Sequence, residues 1–265
     1  MTPDRLSIVL VGAQVTVTQF ANLGPLSVLA ILVIVTVTIL SGALAARWLG
    51  LGSAFGTLAG GAVAICGASA ALALSSVLGE RRINQAQLAL VLVGISAVSS
   101  LAMVVYPIIA HHLGLSDVPA GFLLGASIHD VAQTLGAGYS FSPDAGEVAA
   151  IVKMSRVALL APLLIAVSLL FARDGTGKPK TFMPPWFVIG FFAIAALSAF
   201  GLIPVAAATG AKGFSAALLA GAVTATGIRS PMQSLAHSGV RPFLAIIGAT
   251  LVALATSLGA AYLLF

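Results

Sequence analysis

Leu26-Ser-Val-Leu-Ala-Ile-Leu-Val-Ile-Val-Thr-Val-Thr-Ile-Leu-Ser-Gly-Ala-Leu-Ala-Ala46 is an unbroken apolar run, rich in Val, Ile and Leu, without a single ionisable side chain. About 20 apolar residues are what an α-helix needs to cross the ~30 Å hydrocarbon core of a bilayer. Within one segment only a helix pairs all of its own backbone N–H and C=O groups, as lipid requires. A strand of an outer-membrane barrel would instead alternate apolar and polar residues over about ten positions. The stretch therefore reads as a transmembrane helix.

The rest of the chain repeats this pattern. Of its 265 residues, 60% are hydrophobic and 7% charged, and the mean hydropathy is +1.13. A soluble domain carries about 25% charged residues to cover its surface. A water-soluble fold of this size could not hide so much apolar area. The 28 glycines suit close packing of helices in lipid.

Nine apolar segments follow one another. They run from Leu6 to Phe20, Leu26 to Ala46, Ser53 to Leu78 and Gln87 to Ile109, then from Val118 to Ala137 and Val148 to Phe171. The last three extend from Pro184-Pro185 to Gly201, Phe214 to Leu235 and Pro242 to Phe265. The expectation is an all-α bundle of about nine spans in one transmembrane domain, residues 1–265, with a polar linker loop at 172–184. The N-terminal Met-Thr-Pro-Asp-Arg5 is not a basic leader and no small-residue cleavage site follows it, so a cleaved signal peptide is not expected.

The net charge of +5 comes from 12 Lys and Arg scattered between the apolar runs. They form no patch for nucleic acid and read instead as orientation signals. Nine spans put Arg5, Arg47, Arg173, Lys178, Lys180 and Arg241 on one side, which is then the cytoplasmic one. Arg81, Arg82 and Lys212 fall on the other side, joined by Lys153 and Arg156 only if these lie outside the membrane. Cys66 is the one cysteine, which leaves no intrachain disulfide and no thiol pair for a metal. No metal or cofactor is expected.

Four constellations break the apolar pattern. In Gly60-Gly-Ala-Val-Ala-Ile-Cys-Gly-Ala-Ser-Ala70, a helix starting near Gly67-Ala68-Ser69 would offer free N–H groups and a positive dipole end to an anion. Cys66 stands beside it. A small-residue packing face explains the same glycines.

In Gly125-Ala-Ser-Ile-His-Asp-Val-Ala-Gln-Thr-Leu-Gly-Ala-Gly138, a continuous helix would place His129 and Gln133 on one face and Asp130 and Thr134 on the next. Ionisable residues in a span are costly and mark substrate or proton paths. A His–Asp pair could equally serve as a buried structural hydrogen bond. Ser127 lies in the same stretch.

Ser142-Pro-Asp-Ala-Gly-Glu147 reads as a helix N-cap with Pro at the first position. Lys153 and Arg156 follow, one turn apart. Held at membrane depth they would need an anion or carboxylate between them, and Arg suits an oxyanion through bidentate hydrogen bonds. Snorkelling to the headgroups is the alternative. The fourth constellation is Thr226-Gly-Ile-Arg-Ser-Pro231, with Gly227 as a break and Arg229 as a site cation or span boundary.

Two features suggest an internal repeat. Arg5-Leu-Ser-Ile-Val-Leu-Val11 and Arg156-Val-Ala-Leu-Leu-Ala-Pro162 each open an apolar run, and each is followed by an uninterrupted span and then a Gly-interrupted one. Paired interrupted spans in two halves point to an inverted-repeat transporter, here with 1–110 as the remainder of the first repeat and 116–265 as the second. No P-loop, G-x-S-x-G, dinucleotide-binding glycine pattern or H-E-x-x-H is present, so an enzyme is not expected.

The run from Gly125-Ala-Ser-Ile-His-Asp-Val-Ala-Gln133, through Ser142-Pro-Asp-Ala-Gly-Glu147 and Ile151-Val-Lys-Met-Ser-Arg156, to Leu159-Leu-Ala-Pro162 resembles the YeiH family, also called the sulfate exporter family. Ile8-Val-Leu-Val-Gly12, Ile65-Cys-Gly-Ala-Ser-Ala70, Tyr106-Pro107 and Pro185-Trp-Phe187 extend the resemblance along nearly the whole chain. It implies a secondary carrier of a small inorganic or organosulfur oxyanion in a prokaryotic plasma membrane, with lipid as its surroundings and homodimers common in related folds. The implied fold is the inverted-repeat one in which two broken helices, here the third and eighth segments, cross at the site. The resemblance carries the family's His-Asp and Gln onto His129, Asp130 and Gln133, and its Lys and Arg onto Lys153 and Arg156. With Cys66, Gly67, Ala68, Ser69, Ser127, Gly227 and Arg229 these make up the expected anion site, and His129 and Asp130 would couple transport to protons or shape the site. Family members carry roughly two more N-terminal helices, so the expectation is that the chain starts at what would be their third.

Overall fold

The computed structural model describes residues 17–171 and 240–265, with isolated positions between 190 and 214. The first segment falls largely, and the linker, the seventh and the eighth almost wholly, outside the described residues. Every described element is an α-helix. Among the described residues, four helical stretches are apolar and long enough to cross a membrane: Gly24–Trp48, Gln85–His112, Pro143–Phe171 and Val240–Leu264. They correspond to the second, fourth, sixth and ninth apolar segments.

Helix α1 (Val17–Trp48) is interrupted at Gly24, φ +67°, where Pro25 restarts it. The third segment is divided into α2 (Ser53–Ala64) and α3 (Ala68–Leu78). Helix α4 (Gln85–His112) begins in a capping box, with Asn84 and Gln87 exchanging side-chain and backbone hydrogen bonds so that orphan first-turn donors are satisfied. The fifth segment is divided as well, into α5 (Asp117–Ser127) and α6 (Val131–Phe141). Helix α7 (Pro143–Ala158) starts as the sequence indicates: Ser142 accepts from the Ala145 N–H at 3.0 Å and Pro143 occupies the first turn. Helix α8 (Leu160–Phe171) continues it beyond Leu159, and α9 (Val240–Leu264) follows.

Small residues let these helices approach closely. A Cβ on Gly42 of α1 would lie 2.4 Å from the Gly60 Cα of α2, and one on Gly125 of α5 would lie 2.8 Å from the Ala149 carbonyl oxygen of α7. Gly56 and Gly60 on α2, like Gly121 and Gly125 on α5, have the four-residue spacing that puts two glycines on one helix face. The result is that α2 packs on α1, α5 and α6 pack on α7, α3 packs on α4 and α8, and α9 packs against both α1 and α5. Leu29, Val33 and Leu40 of α1, Leu101 and Val104 of α4, and Leu251 of α9 stay exposed, as side chains in contact with lipid do.

Each half-helix of 11 or 12 residues rises about 16–18 Å, roughly half the hydrocarbon thickness. Their breaks therefore lie deep in the bundle, and that depth positions the candidate site.

Candidate functional site

Glycine is what allows the first break. Gly67 has φ +62° and ψ −115°, a region that L side chains rarely adopt. It receives Ile65 (φ −112°, ψ −89°) from α2 and turns the chain into α3. Its own N–H reaches back to the Ala62 carbonyl at 2.9 Å. No side chain caps α3. The expected helix start at Gly67-Ala68-Ser69 is thus where the structure has it, with Ala68 and Ser69 partly exposed and Cys66 buried beside them.

The second break lies at Ile128-His129-Asp130. The sequence reading put His129 and Gln133 on one face of a continuous helix; that reading is corrected here. Ile128 and Asp130 are both extended, with ψ near 140°. Asp130 is the N-cap of α6, its carboxylate accepting from the Gln133 N–H at 3.1 Å. An Asp followed three residues later by Gln is an N-cap signal, and it was the clue to this break. The Ser127 hydroxyl donates to the Leu123 carbonyl at 2.6 Å and is committed to its own helix.

The two breaks abut. A Cβ on Gly67 would lie 3.8 Å from the His129 Cβ. Four half-helix ends therefore meet: the C-termini of α2 and α5, and the N-termini of α3 and α6. A helix C-terminus in a dry interior leaves carbonyls without partners, at a cost of about 1–3 kcal/mol each when buried.

Lys153 and Arg156 of α7 satisfy them. The Lys153 ammonium donates to the carbonyls of Ile65 and Ile128, both at 2.8 Å, and of His129. Arg156 donates from Nε to Ala64 at 2.9 Å, from Nη1 to Gly125 at 2.9 Å and Ile128 at 3.1 Å, and from Nη2 to Val63 at 3.1 Å and Ala64 at 2.6 Å. Both side chains are fully buried. Neither snorkels to the headgroups nor counts toward the loop charge that sets orientation. The carbonyls take the place of the anion that the sequence reading set between the cations. All five Arg156 N–H donors are used, so the guanidinium gives the site charge rather than a bidentate contact.

Residues outside the predicted set complete the junction. Ser99 of α4 accepts from the Asp130 N–H at 3.1 Å, and Ser100 accepts from the Gln133 side-chain amide at 2.9 Å. Thr250 of α9 is 2.9 Å from His129 Nε2. Hydroxyls inside apolar spans were the only sequence sign of them. Among the described residues, the buried side-chain atoms without a hydrogen-bond partner are His129 Nδ1, Gln133 Oε1 and Ser257 Oγ. Two of the three belong to this junction. Cys66 and Lys153 each lie within electrostatic range of Asp130 and Arg156, and no cluster of metal-ligating residues occurs among the described residues. Gly227 and Arg229 lie outside the described residues.

Long apolar helices surrounding a junction of two discontinuous ones make this a helical membrane protein. The chain belongs to the UPF0324 family of membrane proteins. Residues 4–246 match the family model described as Conserved hypothetical protein 698. The chain is 36% identical over 250 residues to UPF0324 membrane protein CT0845 of Chlorobaculum tepidum, covering 93% of this chain and 70% of the relative. It is 38% identical over 250 residues to UPF0324 membrane protein TauZ of Paracoccus denitrificans, covering 93% and 74%. Against RA0957 of Rhizobium meliloti the identity is 38% over 264 residues, covering 98% and 73%. The family resemblance read from the motifs is thereby established. No solved structure matches the chain.

Proposed function

We propose that the chain is a secondary carrier for sulfate or a related small oxyanion or organosulfur anion, working by alternating access across a prokaryotic plasma membrane. One observation carries the reading: two discontinuous helices meet with their carbonyl ends neutralised by buried Lys153 and Arg156 and with the N-terminus of α3 free of any side-chain cap. Discontinuous helices at mid-depth are how secondary transporters build substrate sites, and their N-terminal ends face anionic groups. The described ionisable side chains that meet there are two cations, one carboxylate, the Cys66 thiol and His129, a balance that favours an anion.

In this reading Cys66, Gly67, Ala68 and Ser69 receive the oxyanion. Gln133 orients it, Lys153 and Arg156 set the potential, and His129 with Asp130 couples transport to protons or shapes the site. Gly227 and Arg229, which lie outside the described residues, are proposed to contribute to the same anion site. The proposed architecture is nine spans in two inverted repeats, with 1–110 as the remainder of the first, 116–265 as the second and a polar linker loop at 172–184 inside the second.

The test is labelled sulfate uptake into proteoliposomes preloaded with unlabelled sulfate. The expected outcome is accumulation above protein-free liposomes, competed by other oxyanions and by small sulfonates. Absence of uptake with sulfate, sulfite, thiosulfate and short sulfonates alike overturns the reading. The rival on the same fold is a cation/proton antiporter using the Asp130 carboxylate, and a response to sodium or pH alone would favour it.

A further inference from the structure

The Lys153 ammonium is held by three convergent backbone carbonyls, from Ile65, Ile128 and His129, which belong to two different helix breaks. The side chain reaches them from a third element, α7, and is fully buried. Three acceptors match the three N–H donors of one ammonium, with the Cε–Nζ bond as the fourth tetrahedral direction. Carbonyl ends of unwound helices are also where discontinuous-helix transporters hold a free coupling cation. Here that position is filled by a cation the chain supplies itself.

We infer that the paired breaks form a monovalent-cation site that Lys153 fills as a tethered ammonium, and that removing its side chain converts the site into one for a free ammonium-class cation. The oxygen count favours ammonium or methylammonium over sodium. Three carbonyls complete the hydrogen bonding of methylammonium and leave one N–H of free ammonium for water, whereas a bare alkali ion needs several further oxygens from the protein or water. Arg156 does not substitute for Lys153, because its five donors are engaged on Val63, Ala64, Gly125 and Ile128. Of the three carbonyls that hold Lys153, only that of Ile128 is shared with Arg156. The neighbouring Ala68, Ser69 and Asp130 are partly exposed, which gives a small cation a route to the cage. The site is independent of the identity of any transported anion.

The experiment is thermal unfolding of the detergent-purified chain in choline, sodium, ammonium or methylammonium chloride at equal ionic strength. It compares wild type, Lys153→Ala and Lys153→Met. Wild type is expected to unfold at the same temperature in all four salts. K153A is expected to lose stability in choline and to regain it saturably in ammonium or methylammonium, by roughly 5 °C or more. K153M, whose apolar chain refills the space without a donor, is expected to be destabilised and indifferent to the salt. A folded K153A that responds to no cation overturns the inference, as does a saturable ammonium effect on wild type. A K153A protein that folds in none of the four salts also overturns it, since a refilled cage would restore the fold. Because the readout is stability rather than flux, failure here is separable from failure of the carrier reading.

Discussion

The two helix breaks share one solution at their carbonyl ends and differ at their N–H ends. Arg156 donates to carbonyls of α2 and α5 alike, and Lys153 bridges Ile65 on one side with Ile128 and His129 on the other. Beyond the break, α6 is capped by the Asp130 carboxylate of its own chain, whereas α3 follows Gly67 and has no side-chain cap. Both N-termini carry the same partial positive charge and the same orphan donors. One set meets an internal carboxylate and the other meets none, its Ala70 N–H turned to the Cys66 thiol. Under the proposed carrier function, the asymmetry favours α3 as the ligand end and gives α6 a holding role.

The largest expected effect comes from destroying what the breaks share. Arg156→Ala removes five hydrogen bonds to four buried carbonyl-bearing residues. Ile128 keeps Lys153 as a donor, so the carbonyls of Val63, Ala64 and Gly125 lose these bonds; at about 1–3 kcal/mol for each buried group left unsatisfied the total is about 3–9 kcal/mol, comparable to the whole stability of a marginally stable protein. The expected result is little or no monodisperse protein by size-exclusion chromatography. Arg156→Lys recovers it only in part, because three donors cannot cover a five-donor fork. A well-folded R156A protein would mean that the two breaks are held together by something other than α7.

A smaller effect tests what is peculiar to the first break. Gly67→Ala forces an L side chain to φ +62° and sets its Cβ 3.0 Å from the Ile95 Cγ2. The conformational strain is about 1–3 kcal/mol, seen as a drop of several degrees in unfolding temperature. Gly79 of the α3–α4 connection also has a positive φ, but a Cβ there meets nothing within 4 Å. G79A therefore carries strain without the clash. If G67A costs no more than G79A, the turn at Gly67 is not set by its contact with α4 and the comparison of the two breaks weakens.

Local signals made part of this legible in the sequence. Gly67 before a small-residue run, and Ser142 before Pro143, are caps that act within three residues, and both helices start where those residues indicate. The apolar runs gave the all-helical class for the same reason, since length and hydropathy are properties of one segment. The break at His129 was misread although Asp130 and Gln133 carry an N-cap spacing, because two polar residues inside a span draw attention to charge before geometry. What no spacing could reveal was the partner of each cation. The Lys153 and Arg156 bonds reach across 24 to 93 positions of sequence, and only packing brings those carbonyls to α7. Ser99, Ser100 and Thr250 were hidden for the same reason: each is one hydroxyl in an apolar run, distinguished only by what it faces.

The smallest effect on stability, and the most discriminating for function, belongs to Asp130→Asn. Asparagine caps a helix about as well as aspartate does, so the first turn of α6 keeps its acceptor and unfolding should change by no more than about 0.5 kcal/mol. Asp130→Ala, which removes the acceptor, should cost about 1 kcal/mol. The charge change is a different matter, because a carboxylate within electrostatic range of Lys153 offsets part of the positive potential at the junction. Neutralising it leaves α6 shaped as before and makes the end of α3 a stronger anion site. An oxyanion carrier in which Asp130 shapes the site should therefore keep its sulfate flux in D130N and bind substrate more tightly, with a lower KM in proteoliposomes; one in which Asp130 couples protons should also lose the pH dependence of that flux. A chain in which Asp130 carries a cation should lose all transport in D130N while D130E retains some. If instead D130N and D130A lose stability equally, Asp130 acts through its charge and not as a cap, and the two helix starts are more alike than their geometry indicates.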